Sequence, residues 1–182
     1  MSSPPELKII YKEMVYINNI IKKALEFKDK EKFSEAIELL EEEFRRNPLS
    51  QEIKKNLIEI LFSYGGYLND DYVLEFDKAK KMFLRIIELD HENYRAYYNL
   101  GISYFNLENF EKARESYKMA LKIKPDYKHC YYNIGLIYEA EEDFENALKY
   151  FEKALEIDPN FMYAMHARNE IRTLLDNLKF NK

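Results

Sequence analysis

The residues best suited to metal binding or nucleophilic chemistry are few and poorly spaced for either. His129 and Cys130 are adjacent, and the chain contains one cysteine and three histidines in all. A zinc site takes about four such ligands at short, regular spacings, but neither a second cysteine nor a His-x-x-x-His pair occurs. His91 and His166 have no evident carboxylate partner. We therefore expect no metal site, and we expect His129 and Cys130 to be ordinary first-turn residues of a helix.

Carboxylates are abundant but scattered, with 33 Asp and Glu residues against 28 Lys and Arg residues. Their charges alternate in sign with those of the basic residues, which is the pattern of a solvated helix face. The chain has no Gly-rich phosphate-binding loop and no Gly-x-Ser-x-Gly nucleophile motif. The sequence therefore predicts a protein that is not an enzyme and that needs no cofactor.

Tyrosine is the third residue type that could do chemistry, since its ring can stack on bases. The chain has 16 tyrosines, but a stacking platform for nucleic acid needs basic neighbours. The net charge is -5 and the pI is about 5.4, so a general basic field is absent. We expect no nucleic-acid partner. A helical repeat protein that contacts RNA stays an alternative, which salt-dependent binding of single-stranded RNA would support.

The composition predicts the elements that carry these residues. Of 182 residues, 47% are hydrophobic, 34% are charged and only nine are glycine or proline, which favours one soluble, helical domain. The single cysteine allows no internal disulfide. The longest stretch without a charged residue or histidine is Ala96–Leu107, too short to span a bilayer. With no signal-peptide pattern at its start, the chain is expected in the cytoplasm.

Two stretches repeat the same residue types at an offset of 34 positions. The first consists of Tyr97, Leu100, Gly101, Tyr104, Ala113, Tyr117, Ala120 and Pro125. The second consists of Tyr131, Ile134, Gly135, Tyr138, Ala147, Phe151, Ala154 and Pro159. Glycine inside a helix costs about 1 kcal/mol relative to alanine, so Gly101 and Gly135 indicate close approach of neighbouring helices. Each proline is expected to end a helix.

This pattern resembles that of the tetratricopeptide repeat family. The resemblance implies an all-α, right-handed superhelical solenoid of antiparallel helix pairs, with about four repeats and a C-terminal capping helix. Residues 1–182 would form one domain. Its parts are a helical extension (1–16), a degenerate repeat 1 (17–50), repeat 2 (51–93) with an inserted loop (65–73), repeat 3 (94–127), repeat 4 (128–161) and the capping helix (162–180).

The first two repeats depart from the pattern. In repeat 1, Ala24 replaces the usual glycine and Glu43 replaces the second alanine. Repeat 2 is nine residues longer than 34, and Gly65-Gly66 is expected to end its first helix. Ser3 is expected to cap the helix at the start of the chain. Asn109 and Asp143 are expected to cap the second helices of repeats 3 and 4, because both side chains favour that position.

In this family, the first helices line the concave side of the superhelix. By similarity, the groove positions are Glu52, Lys55, Asn56, Glu59, Phe62 and Ser63 in repeat 2, Arg95, Tyr98, Asn99, Ile102, Phe105 and Asn106 in repeat 3, and His129, Tyr132, Asn133, Leu136, Glu139 and Ala140 in repeat 4. Of these we select the following as partner-binding residues: Lys55, Asn56, Phe62, Arg95, Tyr98, Asn99, Ile102, His129, Tyr132 and Asn133.

Two features of this surface suggest peptide binding. Tyr98 and Tyr132 are amphipathic side chains with few rotamers, which suits a binding surface. Asn56, Asn99 and Asn133 share one repeat position, and an amide can both donate to and accept from an extended peptide backbone. In the alternative interpretation, these asparagines only order neighbouring helices.

We therefore predict a scaffold or adaptor that binds an extended segment of a partner protein. Its main alternative is a self-associating subunit of a larger assembly, and the chain would be a monomer or a weak homo-oligomer. A third possibility is a chaperone-tail adaptor, which in this family clamps a terminal carboxylate. Lys55 and Asn99 match that clamp, whereas Glu59, His129 and Asn133 stand where it has Asn, Lys and Arg, which argues against it.

Overall fold

The structure is a computed structural model that describes residues 5–70 and 72–180. In this part of the chain, the regular secondary structure is all α-helix. Ser3, the expected helix cap, lies outside these residues. The helices are α1 (Pro5–Asp29), α2 (Phe33–Arg46), α3 (Gln51–Leu68), α4 (Phe76–Leu89), α5 (Tyr94–Asn106), α6 (Phe110–Ile123), α7 (Lys128–Ala140), α8 (Phe144–Ile157) and α9 (Met162–Phe180).

The turns inside the helix pairs share a residue in the left-handed conformation. Each has a non-glycine residue in the left-handed region two positions before its second helix, with φ between 56° and 60°. These residues are Glu31, Leu74, Glu108 and Glu142. The last three are 34 positions apart. Repeat 2 keeps this φ at Leu74, but its turn is wider. The Glu75 N–H donates to the Leu68 carbonyl seven residues back, whereas the equivalent N–H groups of the other three turns donate to a carbonyl five residues back.

Two of these turns end in the caps expected from the sequence. The Asn109 side chain accepts a hydrogen bond from the backbone N–H of Lys112, at 3.2 Å. Asp143 accepts one from Asn146 in the same way, also at 3.2 Å. Each bond satisfies one N–H of a first helical turn that lacks a partner within the helix.

The α3 helix is longer than predicted. Gly65-Gly66 does not end it, because α3 continues to Leu68 and has 18 residues where α5 and α7 have 13. Tyr64 and Tyr67 flank the glycines and both stack on Phe33, with ring centroids 5.1 and 6.0 Å away. This aromatic packing offsets the low helix propensity of the two glycines. The extra residues of repeat 2 thus lengthen both α3 and the connection that follows it.

The chain forms two compact units, and the first spans Met1–Tyr67. In this unit α1 packs against α2 around Ala24, Ala36 and Leu40, all fully buried. Glu43, which replaces the small residue of the repeat, is only 2% exposed. Its carboxylate accepts a hydrogen bond from the Tyr16 hydroxyl at 3.1 Å and lies 3.7 Å from the Arg46 guanidinium, so the buried charge is paired.

The second unit, Leu68–Lys182, contains the two regular repeats and α9. Its core comprises the alanines of the repeat together with Tyr117 and Phe151. A Cβ at Gly101 would lie 2.4 Å from the Tyr117 ring, and one at Gly135 would lie 2.5 Å from the Phe151 ring. The expected reason for the two glycines, close approach between paired helices, is confirmed.

The glycine positions give a direct stability test. We expect Gly101→Ala to lower the free energy of unfolding, since overpacking a core costs about 1–3 kcal/mol and exceeds the gain in helix propensity. Gly66→Ala is the matched control, because its Cβ would meet nothing within 4 Å. We expect that variant to gain up to about 1 kcal/mol. Urea unfolding followed by circular dichroism measures both, and a Gly101→Ala protein as stable as Gly66→Ala would contradict the packing.

Candidate functional site

The ten residues selected from the sequence fall in both units. Lys55, Asn56 and Phe62 lie on α3 within the first unit. The other seven lie on α5 and α7 within the second unit: Arg95, Tyr98, Asn99, Ile102, His129, Tyr132 and Asn133.

In the first unit, the selected α3 residues differ in exposure and bonding. Lys55 is exposed, and Phe62 is half-buried. The Asn56 amide donates to the backbone carbonyl of Glu52 at 2.8 Å. On the same helix, the Glu59 carboxylate accepts an ion-paired hydrogen bond from the Lys28 ammonium at 2.8 Å.

In the second unit, residues of α5 and α7, together with Asn69 and Tyr117, line an open pocket of about 260 Å³. We call it the α5–α7 pocket. Its lining residues are all uncharged: Asn69, Tyr98, Ile102, Phe105, Asn106, Tyr117, Asn133 and Leu136. An apolar cavity of about 150 Å³ can hold a benzene ring, so this pocket has room for one large side chain of a ligand.

The polar groups of the α5–α7 pocket lie close together. Asn133 Nδ2 donates to the Tyr117 hydroxyl at 3.3 Å. The Tyr98 and Tyr117 rings are 5.9 Å apart. Burial raises the pKa of Tyr98 to about 12 and raises that of Tyr117 well above its usual 10.0, while Asn133 opposes both shifts. Both phenols are therefore protonated and neutral at physiological pH.

Asn69 and Tyr117 line the pocket although neither was selected from the sequence. Asn69 Oδ1 accepts a hydrogen bond from the Ser103 hydroxyl at 3.1 Å, and its amide donates to the Asn99 carbonyl at 3.4 Å. These bonds fix the extra segment of repeat 2 against α5. Asn69 could have been proposed from the sequence because it lies in the insertion of repeat 2. Tyr117 could have been proposed because it has a hydroxyl that Phe151, at the equivalent position, lacks.

An aromatic cluster continues from the pocket towards α9. The Tyr98 and His129 rings are 6.1 Å apart, and His129 contacts Phe161 edge to face at 5.0 Å. The Tyr132 ring lies 5.5 Å from Phe161 and 6.1 Å from Tyr163. Burial, and then the neighbouring Lys128, lowers the pKa of His129, although Asp158 opposes this. The neutral imidazole is thus favoured, so His129 acts mainly as an aromatic contact.

Carboxylates lie near the α7 end of this surface. Burial raises the pKa of Glu139, and repulsion from Glu170 raises it further. The same two carboxylates also raise the pKa of Tyr132 after the larger effect of burial. The electrostatic field beyond Tyr132 is therefore negative, which disfavours an anionic ligand there.

The three asparagines at the shared position do not have one common role. Asn99, like Asn56, donates to a carbonyl of its own helix, here that of Arg95 at 2.8 Å. Asn133 instead donates across to Tyr117. These bonds follow the interpretation in which asparagine orders the helices. Each uses one N–H, and an asparagine side chain has a second N–H and a carbonyl oxygen.

The structure offers little for metal chemistry. Among the described residues, no group of three or more His, Cys, Asp and Glu side chains could hold a metal ion. Cys130 is fully buried, and burial raises the pKa of its thiol to about 12. The reactive thiolate is therefore disfavoured. None of the helices, within residues 5–70 and 72–180, has the length and apolar character needed to cross a membrane.

Comparison with known proteins identifies the helix-pair pattern. The family model described as tetratricopeptide repeat matches residues 95–160. The crystal structure of MamA aligns with a TM-score of 0.65 at 21% identity, over 88% of this chain and 84% of that one. No curated protein sequence matches the chain.

Two further solved structures carry a bound peptide or a peptide site in their description. The first TPR of Spaghetti (RPAP3), bound to the HSP90 peptide SRMEEVD, aligns with a TM-score of 0.59 at 24% identity, over 65% of this chain and 93% of that one. YrrB, a TPR protein with an unusual peptide-binding site, gives 0.58 and 23%, over 80% and 71%. At these identities the likeness shows the fold, and it confirms the predicted all-α helix-pair solenoid.

The buried phenols predict how stability depends on pH. Because burial raises the folded-state pKa of Tyr98 to about 12, its stabilising contribution is complete below the unfolded pKa of about 10. It is lost as the pH rises towards the folded value. Between pH 9 and pH 11, we expect the free energy of unfolding to fall by about 1 kcal/mol less in Tyr98→Phe than in the unmodified protein.

Urea unfolding at each pH measures this difference. Tyr72→Phe is the matched control, since Tyr72 is 96% exposed, and it should follow the unmodified protein. An equal loss in Tyr98→Phe and Tyr72→Phe would contradict the burial of the Tyr98 phenol.

Proposed function

We propose that this tetratricopeptide-repeat protein is a non-catalytic scaffold that binds an extended, uncharged segment of a partner protein across α5 and α7. Tetratricopeptide repeats are typically protein-interaction modules without catalytic residues. The single free cysteine, Cys130, is consistent with our proposal that the protein acts in the cytoplasm.

The observation that carries this proposal is the uncharged α5–α7 pocket. Tyr98, Ile102 and Leu136 supply apolar lining, while Asn133 and Tyr117 add neutral polar groups. Binding sites are usually concave and combine an apolar lining with a few convergent polar groups. This pocket combines three asparagines and two tyrosines with Ile102, Phe105 and Leu136. With about 260 Å³ of space, it would accept one apolar or aromatic side chain as an anchor.

The rest of the segment would lie along the aromatic cluster. Tyr132 and Tyr163 offer ring faces beyond the pocket, and Tyr163 is exposed. Asn99 and Asn133 would each offer a second side-chain N–H and a carbonyl oxygen to the backbone of an extended chain. Bonds that only order the helices do not need these additional groups. Such contacts recognise main chain, so sequence selectivity would come mainly from the anchor side chain.

The surroundings favour an internal segment over a free carboxylate tail. RPAP3 binds the HSP90 peptide SRMEEVD, but this chain lacks most of the cations such a tail needs. Glu139 and Glu170 add negative charge beyond Tyr132. An anionic tail would therefore meet repulsion and few bidentate partners.

A binding selection tests the proposal. Random linear dodecapeptides displayed on phage would be selected against the full chain, and the affinities of the enriched peptides would be measured by calorimetry. We expect Ile102→Arg to weaken them at least tenfold, because it places a charged side chain in the α5–α7 pocket. Met119→Arg is the matched control, since Met119 is exposed on α6, and it should bind as the unmodified chain does.

The HSP90 peptide is the contrasting probe. We expect SRMEEVD to bind at least tenfold more weakly than the selected peptides. Micromolar binding of SRMEEVD would overturn the preference for an uncharged segment. Equal losses in Ile102→Arg and Met119→Arg, or no loss in either, would overturn the assignment to the pocket.

A further inference from the structure

The N-terminal half of α1 extends beyond the helices that cover its other half. Tyr16 marks the limit, because its hydroxyl binds Glu43 at 3.1 Å and lies 3.5 Å from Arg46, the last residue of α2. On the α3 side, Lys28 pairs with Glu59, eight residues into that helix. Residues 5–15 therefore form an overhang of roughly 16 Å at 1.5 Å per residue.

This overhang has an exposed apolar stripe with helical spacing. Leu7, Ile10, Tyr11 and Met14 are 56%, 54%, 68% and 57% exposed, and they occupy positions i, i+3, i+4 and i+7. Val15 extends the stripe at its edge and is 40% exposed. The spacing of the first four residues places them on one face about 100° wide, as in helices that pack against another element. Elsewhere in α1, the apolar face is covered, and Ile21 and Ala24 are buried.

We propose that the overhang stripe is a contact surface for a second copy of this chain, with two overhangs packed antiparallel around a two-fold axis near Ile10 and Tyr11. A two-fold pairing covers each stripe with an identical one, so no other partner is required. The stripe has the period of a helix, which suits a facing helix better than an extended peptide. Lys12 and Glu13 follow in sequence with opposite charges, so the overhang has no strong charge to oppose self-pairing.

The exposed area of the stripe limits how much surface this contact can bury. Taking roughly 200 Å² for a large apolar side chain, the five half-exposed residues present roughly 500 Å² per chain. A pair would remove roughly 1,000 Å² from water, which is the lower limit for a specific interface. Interfaces near this limit are weak and transient, so the dimer is expected to form reversibly. It differs from the α5–α7 pocket in location, so each can be tested without the other.

Sedimentation equilibrium of the full chain between about 1 and 300 µM tests the dimer. The unmodified protein should show a monomer–dimer equilibrium in this range, and Ile10→Glu and Ile10→Lys should each weaken it at least tenfold. Leu49→Glu is the control, because Leu49 is 88% exposed and lies outside α1. It should associate as the unmodified chain does. Circular dichroism checks that every variant stays helical.

Mixing the two charged variants identifies the contact itself. Near the two-fold axis, the carboxylate introduced in one copy would face the ammonium introduced in the other. An equimolar mixture of Ile10→Glu and Ile10→Lys should therefore regain association. A monomer at all concentrations overturns the proposal, and so does association that survives both substitutions. A mixture that stays monomeric overturns the stripe-to-stripe pairing, as would higher oligomers in place of a dimer.

Discussion

The packing of the second unit depends on two positions, Gly101 and Gly135, where the absence of a Cβ atom makes room for a ring. A Cβ on Gly101 would lie 2.4 Å from a carbon of the Tyr117 ring, and Gly135 has the same relation to Phe151 at 2.5 Å. Each glycine lets a large ring from the second helix of a pair lie directly on the first. The rings are 1% and 0% exposed, so they bind the two helices together. In repeat 3 this close packing also brings the Tyr117 hydroxyl to the α5–α7 pocket, where it accepts a bond from Asn133.

Much of this architecture could be predicted because it depends on residue types at unusual places, such as glycine inside a helix, which few other structures require. A glycine inside a helix has a low propensity, so its return after 34 positions indicates close packing. Asn109 and Asp143 were equally informative, since capping is a local interaction. The end of α3 was not predictable in this way. Local propensity favours a stop at Gly65-Gly66, but the contacts of Tyr64 and Tyr67 with Phe33 come from a distant part of the chain.

The site was predictable in part for a similar reason. Tyr98, Ile102 and Asn133 occupy family positions on first helices, and the structure brings all three to one pocket. Tyr117 is one of the residues repeated after 34 positions and its ring is buried, but the repeat does not indicate that its hydroxyl reaches the pocket. Asn69 required knowledge of where the inserted segment packs, and no periodic pattern contains that information. The prediction that Lys55, Asn56 and Phe62 on α3 bind a partner stays a prediction.

The central claim is that the α5–α7 pocket holds a side chain of an extended partner segment. Methyl and side-chain amide NMR of the labelled full chain, titrated with one selected dodecapeptide, tests it most directly. We expect the largest shifts at the Ile102 and Leu136 methyls and at the Asn133 amide, with intermolecular contacts to one anchor residue of the peptide. Shifts confined to α1 or to the outer faces of α6 and α8, with Ile102 and Asn133 unchanged, would contradict it.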